Sequence, residues 1–199
     1  YGGRSFFFDR DHGLEIYIRA CGGHYFSLCP EEVEQLHFNP FALPDTAENR
    51  SFLNSWLCTL LLNEGETTLP AELAEQAQHC IHYAFESLDP NDRCLHHAVS
   101  ILPIDFLRWP QLRRWLHLHD KAGEYAYLFD HQQDTVELDN PKIGFDLTHL
   151  LTQPNQVLTA VMMYLFHRID QSLDGQRTSV FIDEGWMVMD NPFWQLKLK

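Results

Sequence analysis

The sequence predicts an α/β fold in which a parallel sheet is interrupted by an all-helical subdomain. Short apolar runs end on carboxylates at residues 4–9 and 180–184, and a third strand-like run lies at 142–147. Residues 45–120 show only the helical period. Strands that alternate with helices are typical of parallel sheets, because each parallel crossover needs a long connection, usually a helix.

The N-terminal part predicts a β-α-β unit. Residues 4–9 form the first strand, residues 11–20 form a helix that ends at Gly22 and Gly23, and residues 24–28 form a second strand. The crossover of such a unit should be right-handed.

The middle segment predicts several helices. Asp45 and Thr46 can cap a helix whose apolar residues recur at i, i+3 and i+4 up to about residue 61. Pro70 opens a second helix that runs to about residue 87, and shorter helices are predicted at about 91–100 and 110–119.

The sheet resumes at residues 142–147, followed by a long amphipathic helix at about 154–173 and the strand at 180–184. The predicted domains are the first part of the core at 1–44, the helical subdomain at 45–138 and the second part of the core at 139–199.

The composition argues against several classes of protein. The chain has 14 Lys and Arg against 28 Asp and Glu, so its formal charge of −14 disfavours a surface that binds nucleic acid directly. No apolar run approaches the roughly 20 residues that span a bilayer. Five irregularly spaced cysteines indicate reduced thiols in a cytosolic protein. Because a strand starts at once and a helical pattern has just begun at the end, we expect a piece of a longer protein.

The run from Thr178 to Glu184 is the most informative about function, because an apolar strand ends there on two adjacent carboxylates, Asp183 and Glu184. Ligands of open α/β sheets bind outside the carboxyl ends of the strands. In phosphate-handling folds one such carboxylate holds Mg²⁺, and a neighbouring acid can orient the attacking water. The alternative is a strand that merely ends in exposed acids.

This chemistry requires a glycine-rich phosphate-binding loop of the form G-x-x-x-x-G-K-[ST]. No Gly-Lys dipeptide occurs in the 199 residues. Either the interpretation is wrong or the loop lies upstream of Tyr1.

Two further groups of residues are weaker candidates. None of the histidine-rich stretches has zinc-finger or H-E-x-x-H spacing, so we predict solvated helix faces for them; they are His79-Cys80-x-His82, His96-His97 and His117-x-His119. Residues 9–13 are acidic and lie at the carboxyl end of a strand, which makes them a second candidate site, although they do not match a calcium loop.

Seven segments carry a family resemblance: Y-G-G-R with F-D-R-D-H-G-L-E-I in 1–16, A-x-G-G-x-Y at 20–25, F-N-P-F-x-L-P-D-T-x-E-N-R at 38–50, G-E-Y with L-F-D in 123–130, G-F-D-L-T at 144–148, M-Y-L-F-H-R-I at 163–169 and I-D-E-G-W at 182–186. In this order they resemble the CagE/TrbE/VirB-type ATPases of bacterial type IV secretion and conjugation systems. The match covers nearly the whole chain. One departure is Gly185, where the family usually has Ala.

The resemblance implies a RecA-like P-loop NTPase core with the phosphate loop a short distance before Tyr1. It implies ATP and Mg²⁺ as cofactors, with Asp183 acting on Mg²⁺ and Glu184 as the catalytic base that activates water. Such ATPases form rings, expected to be hexamers, at the cytoplasmic face of the inner membrane. There they work with other secretion components and energise pilus assembly and substrate transfer. Arg114 aligns with a family arginine, but we expect it to form a surface salt bridge.

Two alternatives remain open. The helical subdomain could be a non-catalytic module that docks on secretion-channel or pilus components, or the parent could be a related motor that pumps DNA, which the acidic charge disfavours. We also expect the 199 residues alone to bind ATP poorly and to be inactive, because the phosphate loop is missing.

Overall fold

The computed structural model describes residues 3–31, 36–183 and 185, and the contacts of the chain divide it into two compact units. The sheet unit comprises residues 1–36 and 137–199, and the helical unit comprises residues 37–136. The predicted α/β class with a parallel sheet is confirmed. The domain boundaries at 44/45 and 138/139 stay a prediction, because compactness does not show which segments fold independently.

A four-stranded parallel sheet forms the centre of the described part of the sheet unit. Its strand order is β2-β3-β1-β4, and β3 pairs with both β1 and β2, so the connection from β1 to β2 passes over one strand. The strands are β1 (Arg4–Asp9), β2 (His24–Ser27), β3 (Lys142–Asp146) and β4 (Thr178–Ile182).

Seven α-helices lie within the described residues, together with short 3₁₀ turns. They are α1 (Glu15–Ala20), α2 (Ala47–Leu60), α3 (Ala71–Ser87), α4 (Leu95–Ala98), α5 (Trp109–Leu112), α6 (Ala126–Phe129) and α7 (Asn155–Ser172). The first and the last belong to the sheet unit, and the other five belong to the helical unit. No helix in the described residues is long and apolar enough to cross a membrane.

The two faces of the sheet pack against different helices. On one face the ring of Phe8 stacks on Phe145 and on Phe166 of α7, with centroid distances of 5.4 and 5.1 Å. On the other face α1 packs through Ile18 against Tyr25 of β2. Gly144 lies at this contact, where a Cβ would be 2.4 Å from the Tyr25 ring and 2.7 Å from Ile18 Cδ1. Only glycine allows this approach without a shift of its neighbours.

The helical unit has an aromatic core. Trp56, Trp115 and Phe129 are almost fully buried, and the Phe129 ring lies 4.9 Å from Trp56 and 6.0 Å from Trp115. Thr46 caps α2 as predicted, since its Oγ1 accepts a hydrogen bond of 3.1 Å from the Asn49 N–H.

Three predicted boundaries are wrong. The helix predicted at 11–20 begins only at Glu15, because Asp11 and His12 each have φ of +55° and cannot continue a right-handed helix. The helices predicted at 91–100 and 110–119 are single turns, Leu95–Ala98 and Trp109–Leu112, flanked by 3₁₀ turns. Each segment ends in extended backbone, at Leu102 with ψ of 139° and at Leu116 with ψ of 144°, which a helix cannot continue.

Candidate functional site

Three aspartates follow or end neighbouring strands at the carboxyl edge of the sheet. Asp9 and Asp146 are paired in register at the ends of β1 and β3, and both are buried. Asp183 comes directly after β4, where its N–H donates to the Phe8 carbonyl at 2.8 Å, and it is exposed. Parallel pairing therefore brings together carboxylates that are 137 and 174 positions apart in sequence from Asp9.

Asp9 is fixed by two donors. Its Oδ2 accepts from the Tyr25 hydroxyl at 2.7 Å and from the Leu14 N–H at 2.8 Å. Burial raises the pKa of Tyr25 above its usual range, and the hydrogen bond to Asp9 and the charges of Asp9, Asp146 and Glu15 raise it further. Tyr25 thus stays protonated and keeps its hydroxyl as a donor to the carboxylate.

A loop of residues 10–13 folds over Asp146. Thr148 Oγ1 donates to Asp146 Oδ1 at 2.7 Å and accepts from the Asp11 N–H at 2.7 Å. His12 lies with Nε2 3.6 Å from Asp146 Oδ2 and Nδ1 3.2 Å from Glu15 Oε2. Asp11 and His12 have a left-handed backbone, which costs about 1–3 kcal/mol for each residue. Backbone strain of this kind is often found beside functional sites.

An open cleft of about 600 Å³ lies at this edge. Its wall on the β4 side includes Phe181, which is half-exposed and stacks on Phe7 at a centroid distance of 5.0 Å. The cleft is lined by Asp9, Gly13, Leu14, Val180, Phe181, Ile182 and Asp183. Both sequence-predicted regions, residues 9–13 and Asp183, therefore contribute to one cleft.

The oxygen ligands at this edge suit Mg²⁺ only if a substrate completes the shell. In the part of the chain that the structure describes, no three acidic or histidine ligands at the sheet edge lie close enough to hold an ion by themselves. Mg²⁺ commonly binds through one or two carboxylates together with waters and substrate phosphates. Asp183, which is exposed at the cleft, fits that role. Glu184 lies outside the described residues.

The histidine-rich stretches differ from one another. His79 and His82 are exposed on α3, as predicted for a solvated helix face. The same prediction is wrong for His96, whose Nδ1 is 2.8 Å from Oδ1 of the buried Asp130. His117 is exposed, but it lies after the 3₁₀ turn Arg113–Trp115 and not on a helix.

Arg114 forms the salt bridge that was expected of it. Its Nη2 is 3.1 Å from Glu124 Oε2 and 2.7 Å from the Tyr125 hydroxyl, and its guanidinium lies 4.7 Å from the centre of the Tyr125 ring.

Sequence reasoning missed Asp146, Thr148 and Tyr25 as members of the sheet-edge site. The signal for Asp146 was present, because β3 ends on a carboxylate just as β1 does. Tyr25 and Thr148 carried no such signal, since only the folded chain brings their hydroxyls to the two aspartates.

The fold and the site define an α/β protein with an open cleft at the acidic carboxyl edge of a parallel sheet, the position at which open α/β sheets bind ligands. No protein-family model matches the chain. The chain is 33% identical over 197 residues to the type IV secretion system protein VirB4 of Bartonella quintana, which covers 93% of this chain and 23% of the relative. It is 31% identical over 194 residues to VirB4 of Agrobacterium fabrum, with 93% and 23% covered.

Two further matches agree with these. The type IV secretion system protein PtlC of Bordetella pertussis is 31% identical over 194 residues, covering 94% of this chain and 23% of PtlC. The solved structure of VirB4 of Thermoanaerobacter pseudethanolicus superposes with a TM-score of 0.65 at 19% identity, covering 94% of this chain and 54% of that one.

These matches confirm the family resemblance that the sequence motifs indicate. Over nearly all of its length the chain belongs to the VirB4-type proteins of type IV secretion systems, and it shares the fold of a solved VirB4. The chain spans about a quarter of the length of the curated relatives that it matches.

Proposed function

We propose that this chain is part of an ATPase that energises type IV secretion or conjugative pilus assembly. The observation that supports this best is the position of Asp183, which follows β4 and lines the cleft at the carboxyl edge of the sheet. This is where α/β folds bind nucleotides.

In this proposal Asp183 holds Mg²⁺, and Glu184 accepts the proton of the attacking water. The bound Mg²⁺-nucleotide supplies the phosphoryl group and neutralises its charge. Asp9 and Asp146 keep the neighbouring edge negative and ordered through Tyr25 and Thr148. The phosphate loop would lie upstream of Tyr1. The active parent would be a ring, most simply a hexamer, peripheral to the cytoplasmic face of the bacterial inner membrane and bound to other secretion components.

The test is Mg²⁺-dependent ATP hydrolysis by the parent protein with Glu184→Gln beside the wild type. Removing a catalytic base typically lowers turnover by a factor of roughly 10²–10⁴, and we expect ATP binding to be retained. Glu137→Gln, an exposed residue of the same unit, is the matched control and should turn over normally. Equal rates for Glu184→Gln and the wild type would refute the assignment.

A second candidate function, a docking module, is favoured by one observation in the helical unit. Ile101, Ile104 and Leu107 are 42%, 95% and 77% exposed, an uncommon density of large apolar side chains on a solvent-facing segment. If docking is the function, Ile104→Asp in the parent should abolish co-purification with secretion components and leave ATP hydrolysis unchanged. Normal co-purification would refute a docking role for this segment.

A further inference from the structure

A group of sulfur and nitrogen ligands lies in the helical unit at the start of α4. Cys94 immediately precedes this helix, and His96 and His97 lie within its single turn. One ligand atom from each of the three residues lies within 4.8 Å of the others. Among the described residues, this is the one group of three or more His, Cys, Asp or Glu with such spacing. We call these three residues the Cys94 cluster.

We propose that the Cys94 cluster binds a Zn²⁺ ion through the Cys94 sulfur and one nitrogen of each histidine. Thiolate and imidazole are the ligands that Zn²⁺ prefers in proteins. The Cys94 Sγ lies 3.4 Å from His96 Nδ1 and 3.6 Å from His96 Nε2. In a tetrahedral site, Zn–S and Zn–N bonds of usual length separate sulfur and nitrogen by about 3.6 Å. The distance to Nε2 matches this value, but Sγ is almost equally far from both nitrogens and so lies beside the His96 ring. Sharing an ion with Nε2 therefore requires the Cys94 side chain to turn towards that nitrogen.

Each histidine of the cluster is oriented through its Nδ1. His96 Nδ1 is 2.8 Å from Oδ1 of Asp130, and His97 Nδ1 is 2.6 Å from the backbone carbonyl oxygen of Asp92. Both partners are acceptors, so each Nδ1 carries the hydrogen and each Nε2 keeps its lone pair. Zinc-binding histidines in proteins typically donate their second nitrogen to a carboxylate or a carbonyl in this way.

The surroundings of the cluster combine a buried sulfur with access from solvent. Cys94 is fully buried, and Gln132 Nε2 donates to its Sγ at 3.7 Å. The side chain of His96 is 38% exposed, so an ion can enter from solvent and a water can complete the shell. Three protein ligands and one open position are typical of zinc sites that are not purely structural.

The proposal is independent of the proposed ATPase, because every residue that carries it lies in the helical unit. The rival explanation is that Cys94 and His96 form only a weak hydrogen bond that orders the first turn of α4. The two explanations differ in whether the chain takes up a metal ion.

The test is titration of the purified, metal-free 199-residue chain with Co²⁺, a spectroscopic substitute for Zn²⁺, followed by displacement with Zn²⁺. We expect one Co²⁺ per chain, the visible absorption of a tetrahedral ion and a thiolate-to-cobalt charge-transfer band that Zn²⁺ abolishes. Cys94→Ser should remove the charge-transfer band, and His97→Gln should weaken Zn²⁺ binding by roughly 100-fold or more, since it removes a direct ligand. Circular dichroism shows whether each variant remains folded.

His79→Gln and Cys58→Ser are the matched controls, because these residues lie outside the cluster on α3 and α2. Both variants should bind like the wild type. Absence of a stoichiometric tetrahedral cobalt spectrum in the wild type would overturn the proposal. So would an unchanged charge-transfer band in folded Cys94→Ser, or unchanged Zn²⁺ affinity in folded His97→Gln.

Discussion

Asp9 of the sheet unit and Asp130 of the helical unit are both buried aspartates, yet their surroundings differ. Asp9 is paired in register with a second buried carboxylate, Asp146, and borders an open cleft. Asp130 is enclosed by donors, since its Oδ1 accepts from the His96 N–H at 3.0 Å and its Oδ2 from the His117 N–H at 2.6 Å. Asp9 also accepts hydrogen bonds, from the Leu14 N–H and the Tyr25 hydroxyl, but it lines a cleft beside a second acidic strand end, which suits a cation. Asp130 instead joins two backbone segments and holds them in place.

The comparison predicts the largest effect on stability for Asp130→Ala. The substitution leaves the N–H groups of His96 and His117 without their acceptor, and each unsatisfied buried donor costs about 1–3 kcal/mol. We expect the free energy of unfolding, measured with urea, to fall by about 4 kcal/mol. Asp105→Ala, at an exposed position of the same unit, should change it by less than about 0.5 kcal/mol. A similar small change for Asp130→Ala would remove the contrast between the two aspartates.

The next largest effect is expected where the sheet packs on α1. Gly144→Ala places a Cβ against the Tyr25 ring and Ile18, and overpacking of this kind costs about 1–3 kcal/mol. Gly13→Ala is the control, because its Cβ would meet its nearest atoms at 3.5 Å, an ordinary contact. If the two variants unfold at the same urea concentration, then β2, β3 and α1 are not packed as tightly as described.

An effect of similar size is expected for the donor that holds Asp9. Tyr25→Phe removes the hydroxyl that donates to Asp9 Oδ2, and a hydrogen bond to a charged group contributes about 2 kcal/mol. Tyr17→Phe is the matched control, because its half-exposed hydroxyl is 2.9 Å from Lys142 Nζ at the surface and contributes under about 1 kcal/mol. Thermal unfolding of both variants measures the difference. Equal losses would mean that Tyr25 does not fix Asp9.

The last prediction concerns the reactivity of the thiols, which should differ between buried and exposed cysteines. Burial raises the pKa of Cys80 to about 12 from a usual value of 9.0, so at pH 8 only about one chain in 10⁴ carries its thiolate. Iodoacetamide should therefore label the exposed Cys21 long before Cys80, as peptide mass spectrometry can follow.

The same shift has a consequence for stability. The unfolded thiol loses its proton near pH 9 while the folded thiol keeps it, so the contribution of Cys80 to stability falls as pH rises from about 9 towards 12. In Cys80→Ala, the free energy of unfolding should therefore fall less steeply with pH over that range. An unchanged slope would show that the buried thiol does not titrate as described.

The strands and their acidic ends could be predicted from sequence because each is a local pattern. β1 was predicted with its observed bounds, and Asp183 follows β4 as the apolar run indicates. The partnership between Asp9 and Asp146 was not predicted, because it depends on β3 pairing with β1 after an intervening segment of more than a hundred residues. The role of Asp130 was also missed, since an isolated Leu-Phe-Asp sequence does not show which backbone groups will surround its carboxylate.

The Cys94 cluster illustrates a different limit. Its C-x-H-H pattern matches no standard zinc motif, so the sequence alone did not indicate a metal site. The folded chain brings Cys94, His96 and His97 together, and Asp130 and the Asp92 carbonyl orient the two histidine rings.

We propose above all that the acidic edge of the sheet, at Asp183, is the Mg²⁺-nucleotide site. The most direct measurement is the Mg²⁺ concentration that gives half-maximal ATP hydrolysis by the parent protein, for Asp183→Asn beside the wild type and the exposed control Asp139→Asn. We predict that Asp183→Asn raises this concentration at least about 10-fold, because a neutral amide replaces a charged Mg²⁺ ligand, while Asp139→Asn leaves it unchanged. An unaltered Mg²⁺ requirement in Asp183→Asn would contradict the claim and place the nucleotide site elsewhere.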